Sequence, residues 1–170
     1  MRKWFLVVAL VFTSLGVAAK GLDGDEYMLA LNTNMSDWKT DNAEFGATTY
    51  DINFGYVRAK GLYLGVLYDT GKLKGYADQS YTNPGVSIGY VLNGWSLIAS
   101  YIIGGTMKAA DTQYKNGSGT QIDVAYLFKT GLPFFFGVGF TDQSITYKLQ
   151  GSADLKFSTM YPIFKFVGFF

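Results

Sequence analysis

The sequence predicts an all-β chain: eight antiparallel strands that close into a transmembrane β-barrel, preceded by an N-terminal signal peptide. Three observations carry that prediction. Apolar and polar residues alternate with period two along much of the chain, which is the pattern of a half-buried strand. Tight turns alternate with longer polar connections, the asymmetry of a membrane barrel with short turns at one end and loops at the other. The N terminus has the three-part organisation of an export signal.

The export signal comes first. Met1-Arg2-Lys3 is a short positive region, and the apolar run from Trp4 to Leu15 follows it. Gly16-Val17-Ala18-Ala19 then supplies small residues, with Val17 and Ala19 at the −3 and −1 positions of a peptidase site. The run is short for a membrane helix, which needs about 20 apolar residues, and no later segment reaches that length. Residues 1–19 are therefore expected to be a signal peptide cleaved after Ala19, and residues 20–170 to be the barrel.

Eight strands are expected, at 26–34, 45–57, 61–70, 82–92, 95–106, 120–129, 133–147 and 156–170. The second has Tyr50, Ile52, Phe54 and Tyr56 on one face and Asp51, Asn53 and Gly55 on the other. The third opposes Leu62, Leu64, Val66 and Tyr68 to Gly65 and Asp69, and the fourth opposes Val86, Ile88 and Tyr90 to Ser87 and Gly89. The sixth opposes Ile122, Val124, Tyr126 and Phe128 to Gln121, Asp123 and Lys129. Turns are expected at 58–60, 93–94 and 130–132, and longer polar loops at 35–44, 71–81, 107–119 and 148–155. Gly104-Gly105 reads as a bulge near the rim, and Asn116-Gly117-Ser118-Gly119 as a flexible loop segment. Pro162 sits inside the last strand, where it lacks a ladder donor, and is expected near the upper rim or at a bulge.

Gly55-Tyr56-Val57 recurs as Gly89-Tyr90-Val91 and more loosely as Ala125-Tyr126-Leu127, each just before a tight turn. The unit is a repeated hairpin with a tyrosine at the foot of its descending strand. Tyr56, Tyr90 and Tyr126, with Trp95, Phe134 and Phe170, are expected to form an aromatic ring at the short-turn end of the barrel. Tyrosine and tryptophan favour a membrane interface because the ring is apolar and its polar tip stays wet. Tyr68 and Phe140 are placed in a second ring at the opposite interface.

A sheet in lipid cannot expose edge N–H and C=O groups, so the first and last strands must pair. Eight strands leave an interior just wide enough for side chains. The inward polar residues expected there are Asp51, Asn53, Asp69, Asp123, Lys129 and Lys165. Lone buried charges are costly, so the aspartates are expected to pair with Lys129 and Lys165.

Composition narrows function. The chain has 170 residues, 14 basic against 13 acidic, with no cysteine and no histidine. That balance lacks the basic face of a nucleic-acid binder. Without cysteine there are no disulfides, thiolate metal sites or lipidated N-terminal cysteine. Without histidine the usual general base and commonest zinc ligand are missing. Hydrophobic residues make up 49% and aromatics 18%, yet mean hydropathy is only slightly positive, as alternation requires. No phosphate loop, metal cluster or calcium loop is present, and no cofactor is expected.

The chain ends Phe164-Lys165-Phe166-Val167-Gly168-Phe169-Phe170, an aromatic strand closing on phenylalanine. With the signal peptide, the repeated hairpins and the loop asymmetry, it resembles the small eight-stranded bacterial outer-membrane β-barrels, the OmpX, OmpW and OmpA-barrel class and opacity-type porin-like proteins. That resemblance implies the outer membrane of a Gram-negative bacterium, contact with outer-membrane lipid and lipopolysaccharide, and recognition of the last strand by the barrel assembly machinery. It implies a structural or surface-interaction role through four outer loops, with an extracellular partner left open. Trp38, Lys39, Lys72, Lys74, Lys108 and Lys115 are the candidate loop contacts. A narrow pore or carrier for a small solute is the alternative. The enzymes of the class use histidine, so no residue here matches their sites and no catalytic role is expected.

Overall fold

The computed structural model describes residues 25–40, 43–58, 60–75, 78–130, 134–149 and 153–170. The expected signal peptide lies outside the described residues. The described chain forms eight strands: β1 (Glu26–Thr40), β2 (Ala43–Val57), β3 (Leu62–Lys74), β4 (Gln79–Leu92), β5 (Trp95–Ala109), β6 (Thr112–Lys129), β7 (Phe135–Lys148) and β8 (Leu155–Phe169). Each pairs antiparallel with its sequence neighbours, and β1 pairs with β8, so the sheet closes into a barrel.

Alternation places the strands as expected, but the strands run further than alternation shows. A tilted strand needs about 9–11 residues to cross a membrane. Those seen here have from 13 residues in β3 to 18 in β6. The stretches expected as long loops are largely hairpin extensions: Thr40 pairs with Ala43, Leu73 with Gln79, and Ala109 with Thr112. A ladder can continue into water because its hydrogen bonds persist after the apolar period of the outward face has gone. Asn116-Gly117-Ser118-Gly119 is likewise part of β6 and not a loop tip. Its register slips between Lys115 and Ser118, and Asn116 has φ +51°, so the glycine-rich stretch makes a bulge. The ring of Tyr147 would meet a Cβ on Gly117 at 2.6 Å, so the absent side chain makes room for it. The facing strand is bulged as well: Gly104 has φ +73°, and the β5–β6 register shifts around Gly105.

The short-turn end is tightly built. Asn93 and Gly94 both have positive φ, +52° and +82°, the geometry of a two-residue hairpin that follows strand twist. At the seam Tyr27 N–H donates to Phe170 O at 2.9 Å, and Phe170 N–H donates to Tyr27 O at 3.0 Å. From there the β1–β8 ladder runs from Met28↔Phe169 to Thr33↔Phe164 and stops, although both strands continue. Pro162 falls just past that stop, on a stretch where β8 pairs only with β7, so its missing donor is tolerated. Pro84 sits beside a register shift between Thr82 and Gly85.

The interior packs in layers. An apolar cluster at the short-turn end comprises Met28, Ala30, Val57, Tyr63, Val91, Ile98, Leu127, Val167 and Phe169, with Phe135 against it. A second contains Leu67, Tyr81, Ile102, Met107, Ile145 and Tyr147. Tyr63 lies over Gly55 and Gly65, where any Cβ would run into its ring or hydroxyl. Gly65→Val therefore displaces the largest side chain of the lower cluster. It is expected to cost about 2 kcal/mol, read as a lower urea midpoint for the refolded barrel in detergent, whereas Ser158→Thr on the exposed face of β8 leaves the midpoint unchanged.

Candidate functional site

Between the two apolar clusters lies a polar layer built from six strands. Asp123 of β6 accepts from Asn32 Nδ2 of β1 at 3.1 Å, from Gln121 Nε2 at 3.1 Å and from Thr141 Oγ1 of β7 at 2.7 Å. Asp51 of β2 accepts from Gln121 Nε2 at 3.0 Å and more distantly from Asn32 Nδ2 at 3.4 Å. Gln143 of β7 donates to Gln121 Oε1 at 2.9 Å and to Asp69 Oδ2 of β3 at 2.6 Å. Asn83 of β4 donates to Asp69 Oδ2 at 2.8 Å and accepts from Tyr147 OH at 2.8 Å. Ser87 and Ser100 share a separate bond of 2.7 Å between β4 and β5. Asp51, Asp69, Asp123, Gln121, Gln143, Asn32 and Asn83 are all buried.

The six polar residues expected in the lumen have three different fates. Asp51, Asp69 and Asp123 are brought together by the amide and hydroxyl donors just described. Asn53 and Lys165 point inward and are buried, but Asn53 Oδ1 and Nδ2 and Lys165 Nζ make no hydrogen bond. Lys129 does not enter the lumen: it is exposed at the end of β6, two residues below Leu127, the last buried side chain of that strand. Its parity is inward, but the lower apolar cluster has already closed the barrel at that height. The expected aspartate–lysine pairing is thus replaced by carboxylates held by neutral donors, which reach Oδ2 of Asp51 and Asp69 but leave their Oδ1 atoms without a partner.

Asn32, Asn83 and Tyr147 belong to the layer and were not expected there. Asn32 shares the parity of Met28 and Ala30, so an alternation test on β1 would have placed it inward. Asn83 shares the parity of buried Ser87 and Val91, so alternation along β4 places it inward although the β4–β5 register shifts beside it. Tyr147 follows Thr141, Gln143 and Ile145 at every second position, so the same alternation places it inward.

The outward face is apolar. Leu64, Val66, Ile88, Leu97, Ile103, Val124, Val138 and Phe164 are all exposed, as are Tyr68 and Phe140. Of the residues expected in the lower aromatic ring, Tyr90, Trp95, Tyr126 and Phe170 are exposed, and Tyr56 and Phe134 half-buried. They fall into three groups. Tyr27 meets Tyr56 edge-on at 5.3 Å and Phe170 at 6.1 Å. Trp95 meets Tyr126 at 5.2 Å, and Tyr126 meets Phe128 at 5.0 Å. Phe134 meets Phe166 at 6.1 Å, with Phe136 beside it at 5.5 Å. Tyr90 makes none of these contacts but shares the exposed face.

Above the polar layer, a cavity of about 240 Å³ lies among Asn34, Thr49, Tyr81, Phe157, Met160 and Tyr161. Tyr81 and Tyr161 are buried and their hydroxyls lack hydrogen-bond partners, while Met160 on the outer face is 69% exposed. Among the described residues no group of acidic residues is arranged to hold a metal ion. The expected surface contacts separate: Lys72, Lys74 and Lys108 line one cleft, Lys115 is the register partner of Lys148, and the side chains of Trp38 and Lys39 lie outside the described set.

No family model and no curated protein matches the chain. Among solved structures it is similar to the outer membrane protein OprG from Pseudomonas aeruginosa, at 11% identity over 89% of this chain and 97% of that one, with a TM-score of 0.40. The outer membrane protein AlkL, solved in lipid bilayers, gives 11% identity, 89% and 90% coverage and a TM-score of 0.39. The translocator domain of the autotransporter NalP from Neisseria meningitidis gives 12%, 96% and 67%, with a TM-score of 0.41.

The polar layer makes a stability prediction. Asp123→Ala strands donors from Asn32, Gln121 and Thr141 inside the barrel and is expected to cost about 3 kcal/mol. Ser87→Ala removes one neutral bond and costs about 1 kcal/mol. Urea unfolding followed by tryptophan fluorescence in detergent micelles measures both.

Proposed function

We propose that this chain is an integral outer-membrane β-barrel of a Gram-negative bacterium, with a filled lumen and a structural or surface-interaction role carried by its long hairpin ends. The observation that supports this most strongly is the inversion of polarity. A soluble protein buries its apolar side chains, whereas here the buried middle layer is aspartate, asparagine and glutamine, and the exposed belt is leucine, valine, isoleucine and phenylalanine. An apolar belt on every strand is far larger than the patches a soluble monomer exposes, and lipid is the solvent that suits it. The aromatic groups near Trp95, Tyr56 and Phe170 fit a periplasmic interface. A β1–β8 seam locked between Tyr27 and Phe170 suits insertion as a closed barrel by the barrel assembly machinery.

The filled lumen favours the structural role over the pore. Two apolar clusters with a hydrogen-bonded layer between them leave no continuous water path through the described residues. The reading assigns no catalysis, because the lumen carboxylates are tied to amide donors and no histidine exists to act as base. One observation favours a carrier as the second reading. The cavity beside Tyr81 and Tyr161 includes outward-facing Met160, at the height where β1 and β8 no longer pair.

Purified protein is expected to migrate faster on a gel unheated than boiled in detergent, and to give no conductance above background in planar bilayers. A heat-independent band together with solubility in detergent-free buffer contradicts the membrane reading. Stepwise conductance contradicts the filled lumen. Uptake of a small apolar solute into proteoliposomes that Tyr161→Trp blocks supports the carrier instead.

A further inference from the structure

Strand β3 carries a depth scale on its outward face. Read from the short-turn end it presents Leu62, Leu64, Val66, Tyr68, Thr70, Lys72 and Lys74. The register extends each step around the barrel. Tyr50, Thr70, Thr82 and Thr106 are successive partners across β2, β3, β4 and β5, making one rung of hydroxyls. The next outward rung is Thr48, Lys72, Ser80, Lys108 and Gln113, on β2 to β6. Every side chain of that rung can donate a hydrogen bond, two carry positive charge, and none is a carboxylate.

Lys72 and Lys108 flank Ser80 from either side, each one ladder away. Ladders are spaced about 4.8 Å apart, so the two lysine backbones stand about 10 Å apart with a hydroxyl between them. Lys74 lies one outward position above Lys72. The three lysines and Ser80 line a cleft of about 470 Å³ together with Asp78 and Asp111, so three cations and two carboxylates share it. Ala110 N–H donates to Asp78 O at 3.1 Å and ties the β3–β4 and β5–β6 hairpins together. Lys72 and Lys108 stand one on each side of Ser80, so an anion held at the hydroxyl meets a cation from either side. A phosphate suits the site, since it accepts from several ammonium and hydroxyl donors together.

We infer that Lys72, Lys74, Lys108 and Ser80 bind the phosphate of a phosphorylated glycolipid in the outer leaflet. The assignment of a lipid rests on the outer-membrane reading, because the cleft lies just beyond the point where the outward face changes from apolar to hydroxyl and then to cation. That order is the order of chemistry met on leaving an acyl layer through its headgroups.

The test uses full-length mature protein refolded in dodecyl maltoside, with three probes: rough lipopolysaccharide, the same lipopolysaccharide after chemical dephosphorylation, and inorganic pyrophosphate. Binding is followed for the wild type, K72Q/K108Q, K74Q and K129Q, each shown to fold by its heat-dependent gel shift. Wild type and K129Q are expected to bind phosphorylated lipopolysaccharide equally. K72Q/K108Q is expected to lose at least tenfold in affinity, K74Q less, and dephosphorylation is expected to weaken wild-type binding to the level of the double variant. Equal binding by K72Q/K108Q and wild type, or equal binding of the dephosphorylated lipid, overturns the inference. Competition by pyrophosphate at concentrations comparable to the lipid assigns the cleft to a free phosphate compound and overturns the lipid source. Insertion of wild type into liposomes is scored separately. Failure to insert counts against the membrane reading, whereas an inserted barrel whose binding ignores the two lysines counts against this one.

Discussion

Closure of the backbone ladder is the constraint on which the rest of this structure depends. In lipid each N–H and C=O of a spanning strand needs a partner from a neighbouring strand, so an open edge is not tolerated. Here β8 returns to β1 and is locked at its foot by the reciprocal bonds between Tyr27 and Phe170. Once the sheet is closed, every strand has one face outward and one inward, and the period of two fixes which residues go where. The seam is paired only from Thr33↔Phe164 downward, which places the obligation to close on the lower half of the barrel. Above that height both strands continue with a single partner each, and Pro162 and the cavity beside Tyr161 occur there.

Closure also creates an interior that must be filled. A barrel of eight strands is too narrow for a wide channel and too large to leave empty. The chain fills it with an apolar cluster at each end and a polar layer between. The polar layer braces strands across the lumen, because Gln121 and Gln143 link carboxylates on β2, β3 and β6 that share no direct ladder bond between Asp69 and Asp123. Neutral amide and hydroxyl donors hold Asp51, Asp69 and Asp123 with shape-specific bonds, and such a network specifies register as well as stability. Lys165 is buried in the same interior, and its Nζ has no hydrogen-bond partner.

Strand number, antiparallel order and face were legible in the sequence because membrane strands separate apolar from polar residues at every step. The signal was clean in β3, where Leu64, Val66 and Tyr68 alternate with Gly65, Leu67 and Asp69. It faded where the environment ceased to be two-sided. Residues beyond Thr70 in β3 and before Thr120 in β6 are mostly polar and read as loop, yet their ladders continue, and Leu73 and Tyr114 pack inward against the upper apolar cluster. Parity misled at Lys129, where the lumen had already ended. Tyr147, not among the expected lumen residues, has a buried ring, and its hydroxyl joins the polar layer. The partners of the carboxylates were not legible, because pairing across the lumen depends on height and barrel diameter, which alternation does not encode.

The absence of cysteine from the chain permits the most direct test of the inverted barrel. Single cysteines along β3, placed in turn at Leu64, Val66, Leu67, Asp69 and Lys72, can each carry a nitroxide label in protein reconstituted into lipid bilayers. The collision rate of each label with dissolved oxygen, which concentrates in lipid, and with a water-soluble nickel chelate reports its surroundings. The inverted barrel predicts that labels at Leu64 and Val66 meet oxygen and not nickel. Labels at Leu67 and Asp69 should meet neither freely, and a label at Lys72 should meet nickel. Free access of nickel to positions 64 and 66, or the same access at alternate positions along the strand, would contradict it.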